Sequence, residues 1–155
     1  MAYIGTFKPS DIVLAINDYV VTDFAEGSFL EIVQNTKTFT QVRGIRGKHS
    51  RIHQRDRSGV INFNLMQTSS DNEVLSRLAL EDDLNLTGLL FVIIRDVSGQ
   101  SGYQFINAYL EGLPDVSYSS GSTAPRQWRI NYDGYSLYNV AGNKQSPLDI
   151  TTGLF

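Results

Sequence analysis

Residues 44–83 contain three patterns in succession that no single regular element can satisfy. A basic segment comes first, punctuated by Gly44 and Gly47. Then Ile61, Phe63 and Leu65 alternate with Asn62, Asn64 and Met66, the period-two mark of a half-buried strand. Ser69, Ser70, Asp71, Asn72 and Glu73 next open a stretch in which Val74, Leu75, Leu78 and Ala79 share one helical stripe. The change of period from 2 to 3.6 requires a loop, a strand, a turn and a helix, and a core that strand and helix share. The helix is expected over 70–83. Ser70 and Glu73 have capping-box spacing, and Asp71 suits the positive end of the dipole. Asp82 and Asp83 near its carboxyl end oppose the dipole, which points to a duty other than helix stability.

The flanking sequence reads as short strands. Residues 12–16 and 19–21 form a hairpin about Asn17-Asp18, and 29–33 and 36–42 follow as strands. Residues 89–95 and 103–110 pair across a loop at 98–102, with Tyr103, Phe105, Asn107 and Tyr109 on one face. A short strand is expected at 115–118. Residues 127–132 alternate strictly, with Trp128, Ile130 and Tyr132 opposite Gln127, Arg129 and Asn131. Residues 135–140 are expected to close a barrel, and the tail at 142–155 has turn composition and an apolar end. The fold class is mainly β: an antiparallel barrel or sandwich with one short α-helix packed on it and a long extended loop at 44–57. The length of 155 residues suits one domain over 1–155.

Charge is unevenly placed. The net charge is −3, yet residues 43–59 hold Arg43, Arg46, Lys48, Arg51, Arg55 and Arg57 against Asp56 alone. The rest of the chain carries 7 basic and 15 acidic residues. A basic arm on an acidic body can be complementary to a second copy of itself. Reversing Arg46, Arg51 and Arg55 to Glu is then expected to block stacking of copies without unfolding the body. The arm could also bind phosphates, making the chain a small β-barrel nucleic-acid-binding module, but it lacks interleaved aromatics and matches no nucleic-acid motif. A ligand-binding sandwich has only the Tyr and Trp content in its favour.

No enzyme is expected. There is no P-loop, no GxGxxG after a strand and no nucleophile elbow, so no catalytic residue is assigned. His49 and His53 are the only histidines, and two ligands do not complete a metal site. No metal and no cofactor are expected. With no cysteine, disulfides and thiolate sites are excluded. The amino terminus lacks a basic and then apolar leader, and the apolar run at 89–94 suits a strand rather than a membrane span.

Residues 58–83 resemble the central signature of tail tube proteins from contractile-tailed bacteriophages, a family related to the tubes of contractile injection and type VI secretion systems. The matching positions are Ser58 and Gly59 at the strand opening, then Gln67, Thr68 and Ser69. Asn72 before the helix follows, with Leu75 and Leu78 on it and Asp82 after them. The resemblance implies homohexameric rings stacked into an inner tube that conducts DNA during ejection. It implies as partners the chain itself, a tail sheath protein, and tape-measure, baseplate and tail-terminator proteins. The genome would pass without specific binding. The expected location is the virion tail, inside the sheath, after assembly in the host cytoplasm. Residues 44–57 become the loop that reaches a neighbouring subunit. Asn62, Asn64, Gln127, Arg129 and Asn131 become the candidate lumen-facing residues.

Overall fold

The computed structural model describes residues 5–143. Residues 1–4, and most of the tail expected to end in apolar residues, lie outside that range. After a 3-10 turn at Pro9–Asp11, the strands are β1 (Ile12–Ile16), β2 (Tyr19–Val21), β3 (Leu30–Gln34), β4 (Phe39–Arg43), β5 (His49–His53) and β6 (Gly59–Leu65). The helix α1 (Asp71–Asn85) follows, then β7 (Leu90–Asp96), β8 (Gly102–Leu110), β9 (Arg126–Tyr132) and β10 (Gly134–Asn139). Eight strands make one antiparallel sheet in the order β2-β1-β7-β8-β9-β6-β3, with β10 on β8. β4 and β5 pair only with each other.

The strand residues that alternate in the sequence build the core. Ile61, Phe63 and Leu65 from β6 meet Trp128, Ile130 and Tyr132 from β9, all buried, and Phe63 stands opposite Trp128 in register. Leu14 and Ile16 on β1 and Val92 and Ile94 on β7 extend the same cluster, and α1 closes it with Leu75. The β1–β2 turn forms as expected, with Asn17 at φ 54, a left-handed position that asparagine tolerates.

Several expectations need correction. The sheet is not closed into a barrel. β10, expected to close it, lies along the first part of β8, while β9 takes Tyr109 and Leu110 at the far end of β8. One long strand therefore serves two neighbours on the same side. The division follows a bulge: Val92 and Leu90 face Phe105 and Ala108, so β8 carries one extra residue, and Asn107 sits at φ 52. The bulge also breaks the predicted aromatic face. Phe105, Ala108 and Leu110 point inward, and Asn107 and Tyr109 are exposed. No strand forms at 115–118. The buried Arg126 guanidinium instead donates to the carbonyls of Ser117 (3.2 Å) and Ala124 (2.8 Å), which holds this connection irregular.

The helix runs two residues further than expected, and its start differs. Ser70 is already helical and makes no side-chain cap. The cap is Ser69, whose Oγ accepts the Asp71 N–H at 3.0 Å, while Glu73 turns away to pair with Arg77 at 3.0 Å. At the other end Leu86 is left-handed at φ 57. The Asp82 carboxylate accepts the Gly88 N–H at 2.8 Å and fixes the turn into β7, which is the separate duty its position suggested.

Gly59 is required by a close approach. A Cβ there would collide with the Val33 carbonyl and the Tyr132 hydroxyl, both across β-ladders. Gly59→Ala is expected to destabilise by at least ~1–3 kcal/mol, because neither neighbouring strand can recede without breaking its pairing. Urea denaturation followed by the fluorescence of the single tryptophan measures this directly.

Candidate assembly surface

The segment expected as an extended loop at 44–57 is the second half of a projecting ribbon. Residues 44–48 turn, with Gly47 at φ 84 and the Gly44 N–H bonded to the Lys48 carbonyl at 2.8 Å. The chain then returns as β5, and all residues of β4 and β5 are exposed. The strand expected at 36–42 is therefore not part of the body. A period of two gives the ribbon two faces. Phe39, Gln41 and Arg43 stand opposite His53, Arg51 and His49 on one face, and Thr40 and Val42 stand opposite Ile52 and Ser50 on the other.

The first face is basic and carries an aromatic. The Arg51 guanidinium lies 4.4 Å from the Phe39 ring centre, and Phe39 and His53 rings are 5.4 Å apart. The sequence reading that the arm lacks interleaved aromatics is thereby corrected, since pairing brings Phe39 beside β5. His49 and His53, four residues apart on one strand, are separated by about 13 Å and cannot share an ion. The second face is mixed, with Val42 and Ile52 about half exposed beside Thr40 and Ser50, and Ile45 at the tip is wholly exposed.

The six basic residues do not form one patch. Arg43 and Arg51 lie on the basic face, Arg46 and Lys48 in the tip, and Arg55 on the return. Arg57 is docked on the body, donating to the Tyr135 hydroxyl at 3.2 Å with its guanidinium over that ring. The base of the ribbon is pinned nearby. Asp56 accepts from the Ser58 hydroxyl (2.6 Å), the Ser58 N–H (3.0 Å) and the Thr36 hydroxyl (3.0 Å). These donors, the Ser58 hydroxyl foremost, hold its carboxyl below the ordinary value.

The signature residues are internal fasteners. Gln67 accepts the Ala124 N–H at 3.0 Å, Thr68 lies exposed in the turn, and Ser69 donates to Asp23 at 3.0 Å. Asn72 donates to the carbonyls of Met66 (2.9 Å) and Ser69 (3.2 Å) and accepts the Trp128 Nε1–H at 3.0 Å. It thus ties the helix start to β6 and β9 at once. Leu75 is buried and Leu78 packs beside it. Sequence reasoning missed Asp71, read only as a dipole partner. It is 3% exposed and accepts from the Tyr19 hydroxyl and the N–H groups of Thr22 (3.0 Å) and Asp23 (3.3 Å). Burial pushes its carboxyl up, but the Tyr19 hydroxyl and the Thr22 and Asp23 N–H donors outweigh that and leave it below the ordinary value.

Asn62, Asn64, Gln127, Arg129 and Asn131 share one outward face of β6 and β9. Its one cation is neutralised in place, since Arg129 donates to Asn62 at 3.1 Å and pairs with Glu111 at 3.4 Å. β2 and β3 end the sheet as strand edges. Among the described residues no group of three or more His, Cys, Asp or Glu could hold a metal ion, and no helix is long and apolar enough to cross a membrane.

An open antiparallel sheet with one helix and a free ribbon defines a class. Solved structures are similar in fold: the tube-terminating cap of the anti-feeding prophage has a TM-score of 0.63 at 15% identity, covering 90% of this chain and 95% of that one. A chain of the sheath–tube complex of the extracellular contractile injection system PVC, in its extended state, has a TM-score of 0.60 at 15% identity, covering 87% and 93%. The PVC sheath/tube terminator has a TM-score of 0.51 at 14% identity, covering 87% and 97%. The fold is shared with these three chains of contractile injection systems. In sequence the chain is 26% identical over 156 residues to structural protein ORF10 of Pseudomonas phage KPP10, covering 96% of this chain and 90% of that protein. It matches no protein-family model. The chain is thus similar in sequence to a structural protein of a phage and in fold to chains of contractile injection systems.

Proposed function

We propose that the chain is the subunit of an inner tail tube, closing into homohexameric rings that stack inside a sheath and conduct DNA during ejection. The observation that carries this is the ribbon of β4 and β5, which leaves the body with Val42, Ile52 and the tip residue Ile45 uncovered. An isolated two-stranded hairpin is marginally stable in water, so it gains from cover by another molecule. The edges β2 and β3 offer unpaired backbone groups that neighbouring copies can satisfy. A ring contact closes on itself, and a stacking contact that does not close generates a filament.

The outward face of Asn62, Asn64, Gln127, Arg129 and Asn131 suits the lumen. Its neutralised arginine releases few counterions on meeting phosphate, so DNA slides past it without being held. No catalysis is assigned to the chain. The sheath, tape-measure, baseplate and terminator proteins are its further partners, and the tail inside the sheath, after assembly in the host cytoplasm, is its location. A terminator or cap would share the ring but present one stacking face, so rings that never extend would assign the chain to that role.

Val42→Asp together with Ile52→Asp tests the reading. Neither residue belongs to the core, so the stability of the body is expected to change by no more than ~0.5 kcal/mol for each substitution. Assembly beyond the wild-type subunit or ring is expected to be lost by sedimentation and electron microscopy. Normal tubes from this variant would show that these two apolar side chains are dispensable.

A further inference from the structure

The body has a second uncovered apolar surface. A groove of about 450 Å³ runs between the end of α1 and the segment leaving β8, lined by Ala79, Leu80, Leu86, Tyr109 and Leu113 with Asp83 at its rim. Leu80, Leu86, Tyr109 and Leu113 are all exposed, although α1 already contributes Leu75 to the core. One exposed leucine needs no explanation, but four large apolar side chains around one groove mark a contact surface. Its charge is negative. Asp82, Asp83 and Glu111 line it, the last turn of α1 holds no basic residue, and the helix end adds its own negative pole.

The ribbon tip is the inverse. Ile45 is wholly exposed between Gly44 and Arg46, Lys48 follows, and Val42 and Ile52 continue the apolar surface toward the base. Ile45 is wholly exposed in its own copy, so the tip is open to an apolar and negative groove of another.

We propose that the ribbon tip of one copy docks into the α1–β8 groove of a second copy, with Ile45 among the leucines and Arg46 against Asp83. This rests on the tube reading and names the surface that the ribbon meets. Like charges disfavour tip-to-tip and groove-to-groove contact, so the arrangement is head-to-tail. A head-to-tail contact propagates from copy to copy.

The absence of cysteine makes a direct test available. Ile45→Cys and Leu113→Cys are placed in one chain, which is assembled and treated with oxidised glutathione. Non-reducing electrophoresis is expected to give a ladder of trimers and larger species, whereas either single variant stops at the dimer. Particles like those of the wild type without a ladder would overturn the docking and leave the tube reading standing. Failure of the wild type itself to assemble would overturn the tube reading. If the cysteine pair blocks assembly, a charge exchange decides. Arg46→Glu and Asp83→Lys are each expected to lower the assembled fraction about tenfold, and the two combined in one chain to restore it. Single variants that assemble normally, or a combined variant without rescue, would overturn the docking.

Discussion

Trp128→Ala is expected to remove most of the stability of the domain. The ring is 1% exposed, fills the space between β9 and the helix start, and stands opposite Phe63. Loss of a buried Trp side chain costs about 3–5 kcal/mol. The Asn72 Oδ1 would also lose the indole N–H that it accepts at 3.0 Å, and an unsatisfied buried acceptor adds about 1–3 kcal/mol. Domains of this kind hold only ~5–15 kcal/mol in total. Trp128→Phe separates the two parts, since it keeps most of the apolar area and removes only the donor. It is expected to cost ~1–3 kcal/mol. Denaturation followed by circular dichroism compares the two, because both variants lack the fluorescent reporter. A Trp128→Ala protein as stable as the wild type would mean that β9 does not pack on α1 as described.

Replacing Asp71 has the second largest effect, and it depends on pH. Asp71→Ala leaves the N–H groups of Thr22 and Asp23 and the Tyr19 hydroxyl without their acceptor. The three donors are only partly buried and water reaches them once the carboxylate is gone, so about 3 kcal/mol, the low end for three groups at ~1–3 kcal/mol each, is expected at neutral pH. The carboxyl of Asp71 is lowered on folding, so the unfolded chain takes up its proton first as the pH falls. Its contribution is complete above the ordinary carboxylate value of 3.8 and is lost as the pH falls through the lower folded one. The partner Tyr19 is raised, chiefly by its hydrogen bond to Asp71, so its contribution is present below the ordinary value of 10.0 and is lost above it. The wild type should therefore hold a plateau between these limits. Asp71→Asn should flatten the acid limb, measured as urea midpoints from about pH 2 to pH 7. An unchanged acid limb in that variant would mean that other carboxylates set it.

The sequence was most informative where one rule acts alone. The alternation in 59–65 and 127–132 has no competing signal, and β6 and β9 formed with their predicted inward residues. It was least informative where two rules compete. Tyr103 to Tyr109 alternate as one strand face, yet a single left-handed residue, Asn107, shifts the second half by one position. Nothing local distinguishes that asparagine from any other. Ser69 and Ser70 are both acceptable caps, and the choice between them was made by Asp23, remote in sequence, which receives the Ser69 hydroxyl. The basic arm was visible as charge, but its exposed apolar pair was not. Val42 and Ile52 come together only through the β4–β5 register. The signature residues stood out by position, and their role as fasteners of β6, α1 and β9 required the partners Met66, Ala124 and Trp128 to be brought near.

The claim that an exposed ribbon drives copies of this chain into a tube is tested most directly by negative-stain electron microscopy of the purified protein at rising concentration. The account predicts hollow tubes of stacked sixfold rings from the wild type, and none from Val42→Asp with Ile52→Asp at equal folding stability. A wild-type protein that stays monomeric at every concentration and binds DNA with a steep salt dependence would contradict it, and would assign the ribbon to nucleic acid instead.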